Sequence, residues 1–180
     1  MPLFCKLTLN NDEEIEIIGS GELKSSMVSQ YLSTIKSVEI GELCTSIGSS
    51  VFYNCSSMTN ITISNTVTNI DIWALYGCSG LTTLVLPNQL NTIGSMALFG
   101  CSGLTTITIP SSVTNIANGA FKSCTGLDNI ISLATTAPTI VGSVFSNMKL
   151  NGTLYVPIGS TGYDSWMSLL QSYNWTMVEQ

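Results

Sequence analysis

Apolar residues in this chain recur in fixed columns rather than along a helical stripe. Val38, Ile61, Leu84, Ile107 and Ile130 form one column, Ile40, Ile63, Leu86 and Ile109 a second, and Ile47, Ile70, Ile93 and Ile116 a third. Each column advances by 23 residues, and Cys55, Cys78, Cys101 and Cys124 keep the same step. A fixed period of this length marks a solenoid: one coil cannot bury its apolar face, whereas stacked coils share a continuous core. Within the coils, residues 37–40, 60–63, 83–86 and 106–109 alternate apolar with small or β-branched side chains, the two-residue period of a half-buried strand. Pro87 and Pro110 end two of these strands. A second short extended stretch (67–70, 113–116) leads into a Gly-containing turn, and the remainder of each coil has room for little more than one helical turn.

The spacing gives five coils, at 32–54, 55–77, 78–100, 101–123 and 124–147. The last is irregular, with Ser132 and Leu133 in place of the apolar–Pro pair and one extra residue near Pro138. Solenoid ends expose core and need caps. Residues 1–31 read as the N-terminal cap: Leu7, Leu9, Ile15 and Ile17 alternate on either side of Asn10-Asn11-Asp12, a hairpin signal, and 24–31 read as a short helix. Residues 148–180 read as the C-terminal cap, with a strand at 154–156, an amphipathic helix over 162–170 that carries Trp166 and Leu170 on one side, and a last edge strand at 175–178.

The block Cys78-Ser79-Gly80-Leu81-Thr82-Thr83-Leu84-Val85-Leu86-Pro87, followed by Leu90-Asn91-Thr92-Ile93-Gly94, resembles the BspA-like leucine-rich repeat. The next coil repeats it from Cys101 through Pro110, Val113, Ile116, Ala120 and Phe121. The tail Leu154-Tyr155-Val156-Pro157, with Gly159, Tyr163 and Trp166, is similar to the segment that closes such arrays. The resemblance implies a mainly β fold, a right-handed, slightly curved leucine-rich-repeat β-solenoid. It also implies adhesion to host or neighbouring-cell proteins, as in bacterial and protist surface proteins, and it brings no catalytic residues. Val51-Phe52, Ala74-Leu75 and Ala97-Leu98 depart from the usual Ala-Phe pair, and Asp71 and Ala117 stand where Gly is expected.

Composition narrows the chemistry. Hydrophobic residues make up 44% and charged ones 9%, the profile of a packed chain. Five Lys against eleven Asp and Glu leave a net charge of -6, so a phosphate-neutralising surface is missing and nucleic acid is not an expected partner. The chain has no His, which removes the usual general base and metal ligand. Asp71, Asp128 and Asp164 have no acidic partner at repeat-equivalent positions, so no paired carboxylates arise. No catalytic residue, cofactor or metal site is expected. Column cysteines would sit roughly 4.8 Å apart with parallel side chains, which suits reduced core residues and neither disulfides nor a converging zinc site. No apolar run approaches the ~20 residues of a membrane-spanning helix, and Lys6, Asp12, Glu13, Glu14 and Glu16 are unlike a signal-peptide core. The expected location is therefore the cell surface if a leader precedes these residues, and otherwise a virion.

Two surfaces are candidate sites. The outward positions of the main ladder hold Asn60, Thr62, Thr83, Val85, Thr106 and Thr108, a neutral face for hydrogen bonding without charge steering. Between Leu43 and Phe121, a stretch of 79 residues, Asp71 is the only charge. The other candidate lies near the convex turn, where Tyr53, Tyr76 and Phe99 share one column and Ser50, Trp73, Met96 and Gly119 another. With both columns outward, Trp73, Tyr76, Met96 and Phe99 form an apolar patch of the kind that marks interfaces. These features fit a non-enzymatic binding or adhesion module for a protein or surface glycan. The alternative is a structural component of a larger assembly, such as a bacteriophage decoration or fibre protein, docking on other subunits or on its own copies.

Overall fold

The computed structural model describes residues 4–9, 13–18 and 21–180, with side chains from residue 21 onward. It is a β-solenoid of three-sided coils. On the first side, strands β4 (Ser37–Ile40), β6 (Asn60–Ile63), β9 (Thr106–Ile109), β11 (Asn129–Ser132), β13 (Thr153–Val156) and β14 (Thr176–Glu179) stack in parallel. The second side is a six-stranded parallel ladder. It runs from β3 (Gly21–Leu23) through β5 (Cys44–Ile47), β7 (Asn69–Ile70), β8 (Thr92–Ile93) and β10 (Asn115–Ile116) to β12 (Thr139–Ile140).

The third side holds the residues expected to make a helical turn, and it forms a row of turns instead. Its amides reach forward to the next coil, as in Trp73 N–H to Ser95 O at 3.0 Å, Leu75 to Ala97 at 2.8 Å and Gly77 to Phe99 at 2.7 Å. On the second side the amides that follow the strands reach back, with Gly94 N–H to Ile70 O at 2.7 Å and Ala117 to Ile93 at 2.9 Å. Inter-coil bonding on three sides satisfies backbone groups that a lone helical turn would leave open.

The apolar columns fill the interior. Ile47, Ile70, Ile93 and Ile116 are all fully buried, each contributing about 1.5–3 kcal/mol of transfer free energy. Between coils the approach is tight at Gly103, where a Cβ would lie 2.6 Å from the carbonyl oxygens of Ser79 and Leu81, so no larger residue fits. The column cysteines have a hydrogen-bonding reason to be there. Cys78 Sγ donates to Phe52 O at 3.2 Å, Cys101 to Leu75 O at 3.3 Å and Cys124 to Leu98 O at 3.1 Å, each reaching 26 residues back along the chain. Cys55, Cys78, Cys101 and Cys124 are free thiols, as the parallel column geometry requires. Cys44, buried in a different column, is disulfide-bonded.

Both ends are closed. At the N-terminus β1 (Phe4–Leu9) and β2 (Glu13–Ile18) form the expected antiparallel hairpin, and β1 pairs antiparallel with β4. Its turn at Asn10–Asp12 lies outside the described residues. Helix α1 (Ser25–Val28) is the expected short helix. At the C-terminus helix α2 (Asp164–Leu170) buries Trp166 and Leu170 against the last coils.

The cap aromatics each find a polar partner: Trp166 Nε1 donates to Pro138 O at 3.1 Å and Trp175 Nε1 to Lys149 O at 2.7 Å. Tyr163 Oη lies 2.6 Å from Ser132 Oγ and 2.8 Å from Ala134 O. The carbonyl only accepts and the phenol has one proton, so the Ser132 hydroxyl donates to the phenol, which donates to Ala134. Ser132, which breaks the apolar column, is thus the anchor of the cap.

The strands expected inside that cap are rungs of the ladder, so the first side has strands or strand-equivalents at seven levels. Asn129 pairs with Thr153, one residue beyond the 23-residue step, and Thr153 with Thr176. All four residues of β14 are exposed, but Glu179 stands at the core-facing register of Val156 and accepts from Gly159 N–H at 3.2 Å. Since β2 has three Glu in its sequence, end-to-end pairing of two copies would bring acids together, a common protection of open sheet edges.

Burial pushes the Cys55 thiol up to about 11 and the Cys101 thiol up to about 12, and raises Cys78 and Cys124 as well. Ellman's reagent at about pH 8 should leave these four thiols unlabelled until the chain unfolds. Native thiols hold protons that unfolded thiols release above about pH 9. Stability should therefore be full below that pH and fall as pH rises toward 11–12, by up to about 1.4 kcal/mol per pH unit per thiol. Urea melts at about pH 7 and pH 10 check this: Cys101→Ala should show a shallower loss than the parent, and equal losses would contradict the assignment.

Candidate functional site

The ladder face is built from the outward positions of the first side, and its two columns differ. One runs Ser37, Asn60, Thr106, Asn129, Thr153 and Thr176 in paired register, entirely hydroxyl and amide. The other runs Glu39 and Thr62 in the first sheet and Thr108, Ile131, Tyr155 and Val178 in the last, with Val85 joined to Thr108 by an isolated bridge. Of the expected residues, Asn60, Thr62 and Thr83 are exposed, Val85 is 80% exposed, and Thr106 and Thr108 are half-buried. The face is therefore amphipathic, with Val85 and, beyond Thr108, an apolar stripe of Ile131, Tyr155 and Val178 beside a hydrogen-bonding row.

Tyr155 and Val178 were outside the expected site because the spacing placed their strands in a cap. The signal that finds them is Leu154-Tyr155-Val156-Pro157, which repeats the pattern of Leu84-Val85-Leu86-Pro87 after a 24-residue step.

The face is also interrupted. One sheet ends at β6 and another begins at β9, and between them residues 83–86, expected as a strand, touch the ladder only through the Val85–Thr108 bridge. In sequence this rung differs by carrying Leu84 and Leu86 where its neighbours carry Ile61, Ile63, Ile107 and Ile109. Leucine lacks the β-branch that favours extended backbone. Thus Val85, the most exposed large apolar side chain among the described residues, stands where the ladder loosens.

On the third side Tyr53, Tyr76 and Phe99 stack in parallel, with centroids 4.7 and 4.6 Å apart and planes within 9° and 2°. That spacing is the coil rise. The column ends at Lys122, whose ammonium lies 6.0 Å from the Phe99 centroid, at the outer range of a cation–π contact. The rings cover one another's faces and present edges outward, so the stack is not a flat platform for a sugar. Beside it Trp73 is 44% and Ile72 45% exposed, while Met96 is half-buried, and the indole N–H of Trp73 points to Met96 Sδ at 3.4 Å. Trp73 thus lies against Met96, and Tyr76 against Phe99, in two columns of the same side.

Elsewhere a cleft of about 440 Å³ lies between coils four and five, lined by Ser111, Thr114, Leu133, Thr135 and Pro138 among others, without a charged or aromatic group. Among the described residues no cluster of His, Cys, Asp and Glu could hold a metal ion, and no helix is long and apolar enough to cross a membrane. Asp128 pairs with Lys149 at 2.6 Å on the surface, a contact worth little. The Asp71 carboxyl is raised by burial and then by the charge of Glu22.

The stacked parallel coils, the two ladders and the exposed face define a leucine-rich-repeat solenoid. Residues 45–161 match the model of the BspA type leucine rich repeat region in six copies, and the chain belongs to that family. The fold is shared with the pneumococcal vaccine antigen PcpA, at 16% identity and a TM-score of 0.59 over 81% of this chain and 41% of that one. It is also shared with a leucine-rich repeat protein from Bacteroides ovatus ATCC 8483, at 19% identity and 0.52 over 86% and 51%. The chain thus spans about half or less of the length of these two structures. No curated protein matches its sequence.

Tyr76 has a ring on either face and Tyr53 on one, so Tyr76→Ala should lower the unfolding free energy by about 1–2 kcal/mol and Tyr53→Ala by about half as much. Urea melts of the two variants measure this, and two unchanged midpoints would show that the stack contributes nothing.

Proposed function

We propose that the protein is a non-enzymatic recognition module that binds a protein partner on the ladder face. The observation that supports this reading best is the amphipathic face: Val85 and an apolar stripe of Ile131, Tyr155 and Val178 beside a row of Thr and Asn. Desolvating such a stripe supplies affinity, and the adjacent row supplies directional hydrogen bonds. Because Ile131, Tyr155 and Val178 stand on a hydrogen-bonded ladder, little conformational freedom is lost at these positions on binding. A protein suits this surface better than a glycan, since Tyr155 is the one aromatic in either column. Charge plays a small part, with Glu39 alone at one end of the neutral rungs, so affinity should change little with salt. Membership of a repeat family with solved relatives such as a pneumococcal antigen agrees with an adhesive role at a cell surface.

The test is binding of the purified chain to a panel of extracellular proteins and to a glycan array, with Val85→Glu and Val178→Glu as probes. Both positions are exposed, so the melting temperature should stay within a degree or two. Binding to a protein partner should weaken about tenfold or more in each variant and hardly change between low and physiological salt. Binding that both variants retain, or binding confined to glycans, would overturn the reading.

A further inference from the structure

Two turn columns of the third side have a left-handed backbone, and the one that carries Trp73 differs from the other, which holds Asn54, Gly77, Gly100, Ser123 and Asn147, in placing large apolar residues there. Ser50, Trp73, Met96, Gly119 and Gly142 all have left-handed φ, at 57°, 57°, 51°, 69° and 68°. Glycine adopts this conformation freely, whereas a bulky side chain loses roughly 1 kcal/mol or more there. Coils four and five place Gly at the position, and coils two and three place Trp and Met. These two side chains do not retreat into the core. They overlap like shingles: the Trp73 indole lies against Met96, and Met96 lies over Gly119, where a Cβ would come within 3.1 Å of Met96 Cγ. Ile72 and the edges of the aromatic stack extend the apolar surface beside them. Strain is thus accepted at two successive coils to hold a large apolar group outward.

Charge at the borders of this surface points to what covers it. Asp71 lies in the coil-two turn that carries Trp73, close enough to Glu22 for the two carboxylates to repel. Lys122 lies in coil four, at the other end of the aromatic stack. None of the three has an ion-pair partner among the described residues. Coil three, with Met96 and Phe99, is midway between the acid and the base and carries no charge.

We infer that this side pairs with the same side of a second copy in antiparallel order, with the twofold axis crossing at coil three. Antiparallel order sets Lys122 of each copy against the Asp71 turn of the other, and the contact is made twice, as a twofold interface requires. The shingled Trp73 and Met96 meet across the middle, where no like charges face each other. Parallel order would instead set acid on acid and base on base. The ladder faces belong to another side of the prism and stay open, so the pair displays two of them, and a ligand with two epitopes gains avidity.

Sedimentation equilibrium of the full chain over a concentration series should show a monomer–dimer equilibrium. Trp73→Gly removes the largest anchor and also relieves the left-handed strain, so it should be monomeric where the parent is dimeric. Its melting temperature in dilute solution should be equal or higher. Lys122→Glu and Asp71→Lys should each weaken the dimer several-fold, and an equimolar mixture of the two should recover it as a heterodimer, because both cross-contacts then join opposite charges. A parent that stays monomeric, a dimer that survives Trp73→Gly, a lowered melting temperature in that variant, or a mixture that does not recover association would overturn the inference.

Discussion

Hydrogen bonding from each coil to the next is the constraint on which the rest of this structure depends. A 23-residue coil has too little interior to fold alone, and its strands of two to four residues cannot persist outside a ladder. Stacking answers both needs at once. The parallel ladders of the first and second sides exchange amides and carbonyls between neighbouring coils, the turns of the third side send their amides forward, and the apolar columns close on one another in between. Thiol donors from Cys78, Cys101 and Cys124 add a fourth line of contact inside the core.

The same constraint accounts for the neutral exterior. A residue repeated at one position of the coil meets its own kind about 4.8 Å away, so a charged column would be a line of like charges. Amides and hydroxyls tolerate this spacing, since each can donate to the next. Asn129 Nδ2 donates to Thr106 Oγ1 at 3.5 Å, Thr68 Oγ1 to Thr45 O at 3.3 Å and Asn88 N–H to Asn65 Oδ1 at 3.0 Å, in each case across 23 residues. Aromatic rings tolerate it too, as Tyr53, Tyr76 and Phe99 show by stacking. The surface chemistry open to such a solenoid is therefore neutral hydrogen bonding, apolar stripes and stacked rings, with charge confined to the ends and to single coils.

Much of this was legible in the residues. The columns of Val, Ile and Leu and the free thiols among them follow from the 23-residue period, and the hairpin and the aromatic C-terminal closure from local alternation and amphipathic patterning. Three features were not legible, for separate reasons. The last two rungs follow an added residue near Pro138, which shifts their register and hides them from a search at fixed step, so Tyr155 and Val178 were missing from the expected face. The looseness of residues 83–86 rests on Leu84 and Leu86 still satisfying the apolar pattern while lacking the β-branch of their neighbours. The left-handed turns at Trp73 and Met96 oppose the local preference of both residues, and only Gly119 and Gly142 further along the column hint at them. At Trp73 and Met96 a local preference yields to the stack, at 83–86 the stack yields to a local preference, and in each case the departure lies on a candidate surface.

Native-state hydrogen exchange tests the primacy of coil-to-coil bonding most directly, because it reads each inter-coil amide separately. On the second side the amides of Asp71, Gly94 and Ala117, bonded at 2.8, 2.7 and 2.9 Å to the coil before, should be protected to a similar and high degree. On the first side Thr59 and Asp128, which bond to Lys36 and Thr105, should be protected, and Thr82 at the interrupted rung should exchange much faster. Uniform protection along the first side, or free exchange at Gly94, would contradict a frame held by its inter-coil bonds and loosened at that one rung.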